Sequence, residues 1–109
     1  MKRMKQNFEF LRKCARTRCR KKLNKLIKAA KPEQIRTLSE SAKNLLIGNL
    51  PMTDAQKRKL SPFKNQIKYL ALKRNSISRK KQMLQRGGGH FLIPALASLA
   101  TTLLSKAFQ

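Results

Sequence analysis

Carboxylates are the scarcest chemistry in this chain: Glu9, Glu33, Glu40 and Asp54 are the only four acids among 109 residues. Hydrolytic and phosphoryl-transfer sites ask for converging carboxylates, a nucleophile beside an oriented base, or a metal cage. Four scattered acids and one histidine, His90, supply none of these, so the sequence predicts a protein that is not an enzyme and takes no cofactor. Cysteine is nearly as rare. Cys14 and Cys19 stand five apart on what reads as one helix, where their side chains point in different directions and do not meet disulfide geometry. With His90 far along the chain they make no zinc site either, so no metal is expected. They read as free thiols of a reducing compartment. No apolar run follows the basic Met1–Lys5, so no secretory signal is visible. No stretch alternates well enough to read as a strand.

What the chain has instead is positive charge. Lys and Arg number 27, giving a formal +23. All but one of these cations, and all four acids, precede Gly87, so residues 1–86 hold a formal +22. Such an excess repels itself when compact and is best matched by a polyanion, with nucleic acid the first choice. Leu, Ile, Phe and Ala nevertheless recur through it at regular spacing, which argues for folded helices rather than a solvating tail.

The periodicity gives an all-α protein with three to four basic amphipathic helices. Met4, Phe8, Leu11, Ala15, Cys19, Leu23, Leu26, Ile27 and Ala30 form one stripe, with a break expected near Arg16–Arg20. Pro32 suits the first turn of a second helix, which Gly48 stops. Ile35, Leu38, Ala42 and Leu45 are its apolar face, and this near-neutral segment is expected at the centre of the core. Thr53 and Gln56 have the spacing of a capping box. Leu60, Phe63, Ile67 and Leu70 continue to about Arg74, with a kink or restart at Ser61 imposed by Pro62. Ser76 or Ser78 caps a last basic helix.

Three glycines follow, and then the composition changes. Gly87, Gly88 and Gly89 read as a hinge or a cutting site within residues 87–90, dividing the basic helical region 1–86 from a separate apolar C-terminal helix, 91–109. Phe91 to Phe108 would span roughly 27 Å as a helix, slightly short of the roughly 20 apolar residues of a membrane span. Pro94 suits its first turn. Ser98, Thr101, Thr102 and Ser105 fall on one face and Leu92, Leu96, Leu99 and Leu103 on another. With Phe91, these leucines are the candidate contacts for a membrane interface or a partner protein; burial against the chain's own basic helices is the other alternative, and the glycine hinge counts against it.

The candidate phosphate-binding residues are three clusters: Arg16, Arg18, Arg20, Lys21 and Lys22; Lys57, Arg58 and Lys59; and Arg79, Lys80 and Lys81. Cations near phosphates release condensed counterions, which drives binding without reading sequence. Nothing marks Asn24, Gln34, Asn65 or Gln66 as base readers. Phe8, Phe10, Phe63 and Tyr69 are the aromatics of the basic part, two of them in apolar stripes, and read as core rather than as stacking platforms.

The segment "LIGNLPMTDAQKRKLSPFKNQIKYLALKRNSISRKKQMLQRGGGHFLIP", residues 46–94, closely resembles a short basic protein of the Polinton (Maverick) and adintovirus group. The layout, a polybasic region and then "QRGGGHFLIPALASLATTLL", is similar to the adenoviral mu core protein precursor. Gly48 to Pro51 match that group's turn, Gln56 to Leu60 its helix start, Ser78 to Lys81 its Ser and lysine run, and Gly87, Gly88, Phe91, Leu92 and Pro94 its ending. The resemblance covers about half the chain clearly and residues 20–47 loosely. It implies a virion core or minor capsid protein that condenses double-stranded DNA in virion and host nucleus, trimmed by a protease near the glycines. The apolar tail is then expected to anchor the protein to capsid proteins, membrane or another copy. The adenoviral cleavage pattern wants Met, Ile or Leu two residues before Gly-Gly, and Gln85 stands there instead. The rival expectations are a membrane-active factor for entering cells, acting through the C-terminal helix, and a host-type regulatory or ribosome-associated basic protein.

Overall fold

A computed structural model describes residues 2–48, 52–86 and 89–107, and among them it contains eight α-helices and no strand. They are α1 (Lys2–Gln6), α2 (Phe8–Arg16), α3 (Arg20–Lys28), α4 (Pro32–Leu46), α5 (Asp54–Leu60), α6 (Lys64–Ala71), α7 (Ile77–Leu84) and α8 (Gly89–Ala107), with a single 3₁₀ turn, Ser61–Phe63, between α5 and α6. The all-α expectation holds. The basic helices are shorter and more numerous than the periodicity suggests, because local chemistry cuts them.

Each cut has a legible cause. At Thr17 the chain turns extended, and the Thr17 hydroxyl donates to the Lys13 carbonyl at 2.6 Å, closing α2. Continuing that helix through "RTRCRKK" would stack Arg16 on Arg20 and Arg18 on Lys22, and like charges four apart destabilise a helix. Cys14 and Cys19 therefore lie on different elements: Cys14 is buried on α2, and Cys19 is the exposed residue preceding α3. The stripe shifts with the break, so Cys19 leaves the core and Phe10 enters it.

Pro32 occupies the first turn of α4, the Lys31 amide donates to the Gln34 side chain at 2.8 Å, and Gly48 follows the helix with φ +82°. That left-handed backbone is where glycine carries no Cβ penalty. The capping box at Thr53 is formed: its hydroxyl accepts from the Gln56 amide at 3.2 Å, and its own amide donates to the Gln56 side chain at 2.8 Å. The interruption at Pro62 is the 3₁₀ turn. Ser76, rather than Ser78, caps α7 through the Arg79 amide at 3.2 Å. The expected turn at Asn49 to Pro51 lies outside the described residues.

The largest departure from expectation concerns α8. It is not set apart from the basic helices; it is the centre of their core, making its most extensive interface with α2 and also packing on α4, α7, α1 and α3. Leu92, Ile93, Leu96, Ala97, Ala100 and Leu104 are all at most 1 % exposed. The physical reason is the shape of the apolar surface. Its buried residues cover a broad face, leaving out chiefly the side that carries Ser98, Thr102 and Ser105, and so wide an apolar face needs packing from several neighbours. The short basic helices each offer one apolar stripe, Leu11 and Cys14 on α2, Leu23 and Ile27 on α3, Leu38 and Ala42 on α4, and these stripes need an apolar partner. Pro94 sits inside α8 rather than in its first turn, since the helix starts at Gly89.

Gly89 is a second correction. A Cβ there would overlap the Leu84 carbonyl oxygen, so glycine permits the close approach that turns α8 back across α7 at 110°. Gly89 is a packed corner; Gly87 and Gly88 lie outside the described residues. The whole is a globule of 33 × 29 × 28 Å with a radius of gyration of 12.5 Å, close to the ~13 Å expected for a compact chain of this size.

Candidate nucleic-acid interface

Arg16, Arg18, Arg20, Lys21 and Lys22 are all exposed, placed outward by the end of α2 and the start of α3. Arg16, Arg18 and Lys22 share a shallow groove of about 400 Å³ with Lys13, which the charge runs alone did not single out. Cys19 lies on the same groove. The Lys22 and Lys21 amides at the start of α3 draw the Cys19 thiol below its ordinary range, and the Lys22 charge adds to this against a small opposing effect of burial. These amides are the leading donors of the helix, so they act on the sulfur as its positive end.

Lys57, Arg58 and Lys59 are exposed along α5. Arg18 and Lys59 both border a second pocket, about 660 Å³, whose floor is Leu60, Phe91, Pro94 and Leu99. The fold thus joins the first two sequence clusters around Arg18 into one basic surface.

The third cluster is divided. Arg79 is exposed, but Lys80 is 4 % exposed, its ammonium donating to the Ser39 hydroxyl of α4 at 2.9 Å. Lys81 donates to the Lys28 carbonyl at 3.2 Å, satisfying the C-terminal end of α3. As a solvent-facing phosphate contact Lys80 is therefore a wrong expectation, for a simple reason of period. Ile77, Lys80 and Leu84 stand at i, i+3 and i+7, so the lysine occupies the buried stripe of α7. That spacing was the signal available in the sequence. Burial, and secondarily the nearby Arg36, holds the Lys80 ammonium below its ordinary range.

The expected membrane or partner contacts are mostly interior. Leu92, Leu96 and Leu99 are buried, and Leu103 is half-buried. Phe91 is 39 % exposed and stacks on Phe63, ring centroids 5.2 Å apart. Of the aromatics of the basic part, Phe10 is buried and Phe63 is engaged with Phe91, whose partly exposed ring borders the same pocket as Arg18 and Lys59.

No protein family, curated protein or solved structure matches this chain. The site is accordingly read from its own chemistry. Among the described residues no cluster of His, Cys, Asp or Glu is arranged to hold a metal. Glu9 and Glu33 form ion pairs on the surface: Glu9 meets Arg12 at 3.3 Å, and Glu33 meets Arg36 at 2.7 Å and Arg3 at 3.5 Å. No single helix among the described residues is long and apolar enough to cross a membrane. What remains is a compact, cation-covered globule whose strongest outward feature is the Arg16–Lys22 corner with Lys13 and Lys59 beside it.

Proposed function

We propose that this protein is a non-enzymatic virion core or minor capsid component that binds and condenses double-stranded DNA without reading its sequence. The observation that carries the reading is the exposed basic corner formed by Lys13, Arg16, Arg18, Arg20, Lys21, Lys22 and Lys59, in which Lys13, Arg16, Arg18 and Lys22 line one groove and Arg18 and Lys59 border the pocket beside it. A cation held near a phosphate releases a condensed counterion, and a row of them binds any duplex. Nothing in the corner resembles a recognition helix with Asn or Gln aimed outward for bidentate base contacts. The virion setting, with the nucleus as its site of assembly, rests on the resemblance of residues 46–94 to the Polinton and adintovirus group.

In one part the molecule differs from the sequence expectation. The apolar helix is the hydrophobic core that holds the cations in place, and it is not offered as an anchor to membrane or capsid. A membrane-active role would need α8 to leave that core. Attachment to capsid proteins or to a second copy falls instead to the surface around Phe91.

Filter binding with unrelated 30-base-pair duplexes, from 50 to 300 mM salt, tests the reading. Affinity is expected to be equal across sequences and to fall steeply with salt. Replacing Arg16, Arg18 and Arg20 together by Gln is expected to flatten the log–log salt slope by about three, near 0.9 for each phosphate left without its cation. Discrimination of tenfold or more between duplexes would reject non-specific condensation, and an unchanged slope would remove this corner from the interface.

A further inference from the structure

A second concentration of charge lies around α4, and it is concave. A pocket of about 700 Å³ opens between α1, α4 and the segment leading from α6 into α7, within the range of about 300 to 1,000 Å³ usual for small-ligand sites. Five cations line it: Arg3, Arg36, Lys43, Lys73 and Lys80, against the single carboxylate Glu40. They come from four separate parts of the chain, so no run of sequence announces the site.

We infer that this pocket binds a polyphosphate group, carried by a free polyphosphate or nucleotide or by nucleic acid. Lys80 is its floor. An ammonium has three donors, and Ser39 accepts one of them at 2.9 Å. Among the described residues no carboxylate lies within ion-pair distance of Lys80. A buried cation without a counter-charge is costly unless an anion arrives. The first turn of α7 borders the pocket through Ser76 and Ile77, with the Arg79 amide already held by the Ser76 hydroxyl at 3.2 Å. Glu33 holds both Arg3 and Arg36 by ion pairs, fixing two guanidinium groups near the pocket while neutralising only one of them. Burial and Arg36 both depress the affinity of Lys80 for its proton, and a bound anion reverses that pressure.

This site goes beyond the DNA-condensing reading and survives its failure, because a small anion filling a pocket does not require a duplex on the basic corner. Isothermal titration of the full chain with sodium tripolyphosphate in 150 mM NaCl tests it against three variants. The expected result is one saturable site, weakened at least tenfold by Lys80→Met. The double substitution Lys25→Gln, Lys28→Gln on α3, exposed and outside the pocket lining, removes twice the charge and is expected to change affinity less than twofold. Lys43→Gln with Lys73→Gln, both exposed at the pocket mouth, is expected to weaken binding at least fivefold and keeps the test decisive should Lys80→Met not fold. Losses that simply follow the charge removed, or full binding by the pocket variants, overturn the site. Once pocket dependence is seen, competition by a short duplex assigns the phosphate to nucleic acid, and resistance to it assigns a free polyphosphate or nucleotide.

Discussion

Two cysteines five residues apart have been given opposite chemistry by their surroundings. Cys14 is fully buried in the α2–α8 core, and burial pushes its thiol up to about 12, because a thiolate there would have lost its water with nothing to replace it. Cys19 is exposed at the start of α3 among Arg18, Arg20, Lys21 and Lys22, and it ionises more readily than an ordinary thiol. The thiolate is the reactive form. Iodoacetamide at pH 7.5 is therefore expected to modify Cys19 first, with a rate that rises with pH and levels off earlier than that of an ordinary exposed thiol. Cys14 is expected to react only after denaturation. Peptide mapping of the labelled chain checks this; equal labelling of both cysteines in the folded protein would show that the α2–α8 contact opens freely. The same contrast explains what was legible at this scale. Free thiols were readable from number and spacing alone, but which of them is reactive depends on the break at Thr17, which sends one inward and the other to a helix start. Lys80 is the other case. Its place in the Ile77–Leu84 stripe was visible, while its partner Ser39 lies 41 residues away and no local pattern couples them.

Among the elements, beginnings and ends were legible and destinations were not. Pro32, Gly48, the Thr53–Gln56 box, Pro62 and Ser76 act within a few residues of themselves, so the sequence displays the whole interaction. The apolar run after the glycines is different. Its composition states that those residues leave water, and a membrane, a partner and the chain's own interior all satisfy that demand equally. Only the three-dimensional match between α8 and the stripes of α1 to α4 decides among them. A charge at Leu96, 1 % exposed, would be stranded in that core. Leu96→Glu is expected to lose several kcal/mol, about the cost of an unpaired buried charge or a deleted core leucine, and with it the cooperative thermal transition followed by circular dichroism. Thr102→Glu, on the exposed face of the same helix, is expected to shift stability by no more than about 0.5 kcal/mol. Were Leu96→Glu to melt like the parent chain, α8 would be an appendage and the core described above would be wrong.

For the whole molecule, the question is how a formal +23 stays folded within 33 × 29 × 28 Å. Screening sets the answer. At 10 mM salt charges interact over about 30 Å, so every cation repels every other across the entire globule; at 150 mM the reach drops to about 8 Å and only neighbours on one surface repel. Folding brings those charges together and unfolding spreads them, so salt relieves the folded state more than the unfolded one. The melting temperature is therefore expected to rise from 10 to 300 mM NaCl, the reverse of the trend for a protein held by surface ion pairs, of which the described residues show three. Duplex affinity is expected to fall over the same range, since added cations compete for the phosphates. Under the proposed function, DNA would supply at low salt what sodium chloride supplies at high salt. Duplex present at about a hundred times its dissociation constant would stabilise the fold by about 2.7 kcal/mol through binding alone, and the gain in melting temperature should shrink as salt rises. Calorimetry across a grid of salt and duplex concentration measures both trends at once. A melting temperature that stays flat or falls with salt in the absence of DNA would mean that the positive charge is already neutralised within the fold, and the case for a polyanion partner would fall with it.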